Sequence, residues 1–178
     1  MTGIIFIAAL LVQAPVVDNQ RVRVWHEAAV PPGDLDAVSV TVNGAAARAT
    51  FVPKRASKPT DPATLTVELK DYTAPPITNS SGFPSAFPRP GSMKLLENNR
   101  VIVWDYTWTL NSAGNMHFHD KDVVVMYLAD GDLQSTVPDG TKTLNEYKPG
   151  MIRFNLRDRI HFETLVRGKQ RAIIVELK

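Results

Sequence analysis

The sequence predicts an all-β protein built as a sandwich or barrel, on three observations. Short segments with alternating apolar and polar residues recur along the 178-residue chain, as in strands that bury one face. Turn-forming pairs of Pro, Gly, Asn and Asp separate these segments. After the N-terminal segment, no long stretch has the helical period of about 3.6 residues. Short strands joined by such turns are typical of sandwiches and barrels.

An apolar run occupies positions 3–12 (GIIFIAALLV). The run is too short to span a bilayer, but it has the length of the core of a secretory signal. A buried first strand is the alternative, because no Lys or Arg precedes the run and Pro15 follows the candidate cleavage site. We expect residues 1–15 to be a signal peptide (or the first strand), and the mature protein to be periplasmic or secreted without a membrane span. Without a signal, a cytoplasmic protein is expected.

Six further segments have the pattern of strands. Two of them end at a tryptophan, Trp25 or Trp104, and we expect both rings to anchor the core. Turn signals such as Asn43-Gly44 and Pro149-Gly150 lie between the segments. The six predicted strands are residues 21–25, 38–42, 65–69, 100–104, 123–128 and 172–177.

Two segments occur twice in the same order, which indicates an internal repeat. NQRVRVW at residues 19–25 matches NNRVIVW 79 positions later, and VELK at residues 67–70 matches VELK 108 positions later. The second unit is therefore 29 residues longer between these two anchors.

The repeat divides the chain into unequal parts. We expect a reduced unit at residues 16–71, a Pro-rich linker that crosses a surface at residues 72–97, and a complete barrel at residues 98–178. The reduced unit should pack against the barrel, because about 50 residues bury too little surface to stand alone.

The composition excludes several classes of function. The chain has no cysteine, so thiolate catalysis, thiolate metal sites and disulfides are excluded. Its 20 Lys and Arg nearly balance 18 Asp and Glu and form no basic cluster, so no nucleic-acid partner is expected. No nucleotide-binding loop, G-x-S-x-G elbow or H-E-x-x-H helix occurs. The expected partner is a small molecule, and open sheet edges favour a homodimer.

Three of the four histidines lie in the longer second unit. His117 and His119 form an H-x-H pair, and on a strand such a pair points two imidazoles to one side. His161, on a neighbouring strand, could complete a cluster that binds a metal. The alternative is three polar residues in a barrel mouth, hydrogen-bonded to one another or to water. His26, which follows the first predicted strand, is not expected to be a ligand.

The surroundings of these histidines resemble the two motifs of the cupin superfamily. The resemblance implies a jelly-roll barrel at residues 98–178, preceded by a truncated copy that lacks metal-binding positions. It implies a small-molecule-binding protein with a three-histidine pocket; the alternatives are a metal-dependent dioxygenase, isomerase or lyase, and a non-catalytic barrel without metal. The matching residues are Gly114, His117, His119 and Gly131 for the first motif, and Pro149-Gly150 and His161 for the second.

One position departs from the cupin pattern. Val123 stands near the place of the family's acidic ligand, and valine cannot coordinate a metal. Asp122 should point the other way unless a bulge re-aims it, whereas Glu163 shares a face with His161. The site is therefore three neutral imidazoles with open positions, three imidazoles plus Glu163, or empty.

The ligand types leave the identity of the metal open among Zn, Fe, Mn, Ni and Cu. The catalytic residues are unknown, and Glu163 is the best candidate for a general base. Tyr127, in phase with the histidine pair, either contacts the ligand or packs in the core. Four arginines near His161 would favour an anionic ligand or simply solubilise strand ends; they are Arg153, Arg157, Arg159 and Arg167.

Overall fold

The structure is a computed structural model that describes residues 14–27, 34–56 and 63–178. The expected signal peptide lies outside the described residues except for its last two positions, so its cleavage and the compartment stay predictions. Within the described ranges, no helix has the length and apolar character needed to cross a bilayer.

The described residues form strands in three antiparallel sheets, which confirms the all-β prediction. The sheet orders are β1-β2-β5-β3-β4, β6-β7-β14-β9-β12 and β11-β10-β13-β8, and we call these sheets the N-terminal, central and histidine sheets. The strands are β1 (Val17–Asp18), β2 (Val22–His26), β3 (Asp36–Asn43), β4 (Ala46–Val52), β5 (Leu65–Leu69), β6 (Ser92–Glu97), β7 (Val101–Trp108), β8 (His117–His119), β9 (Asp122–Tyr127), β10 (Gly131–Thr136), β11 (Lys142–Tyr147), β12 (Ile152–Asn155), β13 (Arg159–Gly168) and β14 (Gln170–Leu177).

The N-terminal and central sheets repeat one another strand by strand. Val22 lies opposite Leu69 in the first, and Val101 lies opposite Leu177 in the second. These four residues belong to the two segments that recur in the sequence, so the repeated sequence has the same pairing register in both sheets. The histidine sheet has no counterpart in the described part of the first unit.

The central sheet is buried on both faces because it lies between the other two sheets. Alternate residues of β7 point to opposite sides: Val101 and Val103 pack against the valines and leucines of the N-terminal sheet, whereas Trp104, Tyr106 and Trp108 pack toward the histidine sheet. The reduced N-terminal unit thus packs against the barrel, and the barrel interior has an aromatic lining.

Two arginines at matching positions of the repeat join the units. Arg21 Nη1 donates to Asp122 Oδ2 at 2.5 Å, and Arg100 Nη1 donates to Asp36 Oδ2 at 3.0 Å. Each arginine also donates to the backbone carbonyl of the final lysine of the other unit's VELK segment. Each unit therefore supplies one cation to the other across the interface.

The segment expected to be a surface linker is partly built into the barrel. Residues 92–97 form the edge strand β6, and Ala86 and Phe87 are buried in the aromatic core. A sharp turn at Gly91, with φ of 87°, makes this path possible, because a Cβ there would lie 2.5 Å from the Thr107 carbonyl oxygen. The prolines dominate the composition of the segment, which therefore predicted a surface linker and not these packed residues.

Candidate metal centre

The three histidines of the second unit meet inside the barrel. His117 and His119 lie on β8, and the antiparallel pairing of β13 with β8 places His161 opposite His117. Each imidazole centroid is 5.0 Å from the other two. One nitrogen of each ring lies within 4.8 Å of one nitrogen of the others. The predicted cluster therefore forms, and its role as a metal site stays a prediction.

Hydrogen bonds orient two of the three rings. Nδ1 of His117 lies 2.8 Å from the Asn115 carbonyl oxygen, and Nδ1 of His161 lies 3.2 Å from Ser135 Oγ. A ring that donates from Nδ1 keeps its lone pair on Nε2, as in many metal-binding histidines. Nε2 of His119 and Nε2 of His161 are 3.1 Å apart, at hydrogen-bond distance, so one of the two nitrogens carries the proton, and a bound metal would replace that proton.

Burial keeps the imidazoles neutral at pH 7. It lowers the pKa of His117 to about 4, with help from the nearby charge of Arg89, and lowers the pKa of His161 to about 4, with help from Arg159. Burial, followed by the charge of Arg159, also lowers the pKa of His119. Only a neutral imidazole can bind a metal, so the cluster needs no deprotonation at physiological pH.

The lowered pKa values make stability depend on pH. Imidazoles of the unfolded chain have a pKa of about 6.5, so between that pH and about 4 the unfolded chain binds more protons than the folded protein. We expect the free energy of unfolding of the metal-free protein to fall as the pH drops through this window. Urea denaturation at about pH 7 and about pH 5 measures the fall. The His161→Gln variant should lose less stability, and an equal loss in both proteins would contradict the assignment.

Glu163 lies beside the cluster but is engaged elsewhere. Its Oε2 accepts a hydrogen bond from Trp108 Nε1 at 3.2 Å and lies 3.5 Å from Arg89 Nη2. The group of ligand atoms contains only the three histidines among the described residues. Of the three alternatives that the sequence leaves open, the structure has three imidazoles without Glu163 among them. Arg89 and Trp108 hold the Glu163 carboxylate beside the cluster.

The position of the missing acidic ligand faces the cluster. Val123 lines a small inner chamber together with His119 and His161. Asp122 points away and accepts the hydrogen bond from Arg21, as expected for its neighbour in an alternating strand. No carboxylate of the β9 strand can therefore reach the histidines.

Tyr127 does not lie on the same strand as the histidine pair, so the predicted phase relation between them is wrong. The chain leaves the histidine sheet after His119 and enters the central sheet at Asp122. Tyr127 nevertheless lines the inner chamber, where its ring stacks on Tyr147 with centroids 3.7 Å apart. Burial raises the pKa of Tyr127, so its hydroxyl stays protonated and packs in the aromatic core.

Two cavities meet at the cluster. The inner chamber has a volume of about 30 Å³, enough for about two water molecules. The outer cavity has a volume of about 410 Å³, and His117 lines it. Three residues line both cavities and form the partition between them; they are Arg89, Trp108 and Glu163.

One cation that contacts the cluster was missed by sequence reasoning. Arg89 Nη1 lies 2.9 Å from Nε2 of His117, and Arg89 belongs to the Pro-rich segment. Among the arginines considered from the sequence, Arg159 lines the inner chamber, whereas Arg167 pairs with Asp132 at 2.6 Å, away from both cavities. The only sequence signal for Arg89 was its position between Pro88 and Pro90, close to Phe87.

The chain is similar to several solved cupin structures. A cupin domain from Bordetella pertussis is 21% identical, with 52% of this chain and 99% of that chain covered and a TM-score of 0.44. An RmlC-like cupin family protein with a double-stranded β-helix fold from Methanocaldococcus jannaschii is 16% identical, with 51% and 85% covered and a TM-score of 0.42. A cupin superfamily protein from Desulfitobacterium hafniense is 16% identical, with 55% and 95% covered and a TM-score of 0.39.

No protein-family model and no curated protein matches the chain. The all-β fold rests on the strands and sheets described above. The superfamily that the histidine motifs resemble is also the superfamily of these solved structures.

Proposed function

We propose that this protein binds a small molecule beside a divalent transition metal held by Nε2 of His117, His119 and His161. The supporting observation is the convergence of three neutral imidazoles from two paired strands between two cavities, with His117 lining the larger and His119 and His161 the smaller. Three imidazole nitrogens are a common donor set for zinc and other first-row metals and leave positions open for a ligand. The chain thus offers a partial coordination shell and a place for a substrate beside it.

A bound metal would act as a Lewis acid toward an oxygen of the small molecule. The residues of the chain would supply the rest of the site. The small inner chamber limits the number of water molecules behind the metal, and Glu163 is the carboxylate that could accept a proton from a molecule in the outer cavity. Arg89 supplies a positive charge at the partition.

A non-catalytic barrel is the second candidate, and one contact favours it. The Arg89 guanidinium donates toward Nε2 of His117 at 2.9 Å, so a cation of the protein already occupies one side of the cluster. With Val123 in place of a carboxylate, nothing on β9 offsets the charge of a metal ion. On this alternative, the histidines form a polar wall of a binding pocket without chemistry.

Elemental analysis separates the two candidates. The protein is purified without a histidine tag or chelator, and its Zn, Fe, Mn, Ni and Cu contents are measured. We expect about one equivalent of one of these metals per chain, lost on chelation and regained on soaking. A metal-free protein that regains none would contradict the proposal and support the non-catalytic barrel.

A further inference from the structure

The side chain of Arg89 is held in a fixed orientation at the partition. Its guanidinium carbon lies 4.7 Å from the ring centroid of Phe87 and 4.2 Å from that of Tyr106. The side chain is 14% exposed. Stacking on aromatic rings fixes the plane of a guanidinium and leaves its edges for hydrogen bonds. The edges of Arg89 therefore determine what it recognises.

The hydrogen bonding of these edges is incomplete. Nη1 is occupied by His117. Nη2 has only the Glu163 carboxylate at 3.5 Å, and Nε is buried without a hydrogen-bond partner. Together, Nε and Nη2 form the edge that binds a carboxylate through two parallel hydrogen bonds. Glu163 makes a single long contact at this edge, because it also accepts from Trp108.

The outer cavity, which Arg89 lines, suits a ring. Its volume is about 410 Å³, and its wall combines the aromatic rings of Tyr106 and Trp108 with several prolines. The charged side chains that line it are Arg89 and Glu163. Flat apolar surfaces beside one incompletely paired cation would favour an apolar ring that carries one negative charge.

We propose that the outer cavity binds an aromatic or cyclic monocarboxylate whose carboxylate occupies the Nε and Nη2 edge of Arg89. The ring would lie against Tyr106 and Trp108, and the incoming carboxylate would displace Glu163 from the guanidinium. The inference rests on the proposed function for the role of the neighbouring histidines, but Arg89, Tyr106 and Trp108 bind no metal in it.

Benzoate is the probe, and benzamide is its neutral comparator. Calorimetric titration of the chelator-treated protein and of the same protein after zinc soaking measures both affinities. We expect benzoate to bind at least about tenfold more tightly than benzamide in both preparations, since only benzoate makes charge-assisted hydrogen bonds. Equal affinities, or no benzoate binding, would overturn the inference.

Variants locate the binding to Arg89. Arg89→Leu should weaken benzoate binding by about 10- to 100-fold, and Arg89→Lys should weaken it less, because lysine keeps the charge but lacks the two-donor edge. Arg153→Gln is the matched control: Arg153 also lies over a tyrosine, with 4.9 Å to the Tyr147 centroid, but lines neither cavity. Unchanged affinity in a folded Arg89→Leu, or equal losses in both variants, would contradict the assignment.

Glu163→Gln should change the benzoate affinity in the opposite direction to the Arg89 variants. This test does not depend on whether the Arg89 variants fold. Glutamine removes the carboxylate that competes for Arg89 but keeps an oxygen for Trp108 Nε1. We expect tighter benzoate binding, and weaker binding would overturn the displacement step. Benzoate binding in a protein that takes up no zinc would contradict the proposed metal site alone, whereas zinc uptake without benzoate binding would contradict this inference alone.

Discussion

His119→Ala is expected to lower metal affinity by more than about 100-fold. Loss of a group that only orients a ligand costs about 10- to 100-fold, and His119 is a proposed ligand itself. Its Nε2 lies 3.1 Å from that of His161, so its removal takes away one side of the coordination position. Competition titration against a coloured zinc chelator measures the change.

Two control variants test whether the loss of metal affinity is specific to the proposed ligands. Ser135→Ala removes the partner of His161 Nδ1 and should weaken binding by about 10- to 100-fold. His26→Ala removes the one histidine outside the cluster and should leave the affinity unchanged. If His26→Ala and His119→Ala weaken binding equally, the metal is bound somewhere other than the described cluster.

Arg21→Leu is expected to lower the free energy of unfolding by about 3–5 kcal/mol, the usual cost of leaving one charge of a buried pair unpaired. Arg21 is 9% exposed and Asp122 4%, and no other side chain donates to Asp122 among the described hydrogen bonds. The substitution leaves the Asp122 carboxylate without a charged partner between the two units. Urea denaturation followed by circular dichroism measures the loss.

Arg48→Leu is the matched control, because Arg48 is an exposed arginine of the same N-terminal sheet. It should change stability by less than about 0.5 kcal/mol. The double variant Arg21→Leu/Asp122→Leu should recover part of the loss, because it removes the stranded charge. A loss below about 1 kcal/mol in Arg21→Leu would contradict a buried pair at this interface.

The buried strands were predictable because alternation and β-branched residues mark them locally. Residues 65–69 were predicted with the bounds that the structure has. The strands that sequence reasoning missed are exposed or polar, such as Lys142–Tyr147, where only the last residue is buried. The stability of such edge strands comes from pairing with a neighbour, so their own composition carries little signal.

The histidine cluster was predictable in part because the H-x-H spacing is a local signal and His161 was expected on a neighbouring strand. Arg89 was not predictable, because its contacts with His117 and Glu163 join residues 28 and 74 positions apart. Only the fold brings the Pro-rich segment across the barrel mouth. The break between β8 and β9 was missed for a related reason: the switch between sheets at Asp120 and Lys121 contains neither glycine nor proline.

Anomalous diffraction from a crystal soaked in zinc shows whether the three histidines bind a metal ion. We expect one anomalous peak per chain, at about 2.1 Å from each of the three Nε2 atoms of His117, His119 and His161, in place of the hydrogen bond from Arg89 Nη1 to His117 Nε2. A crystal of the same protein with no peak between these rings after soaking, or with zinc bound only at other residues, would contradict the metal centre.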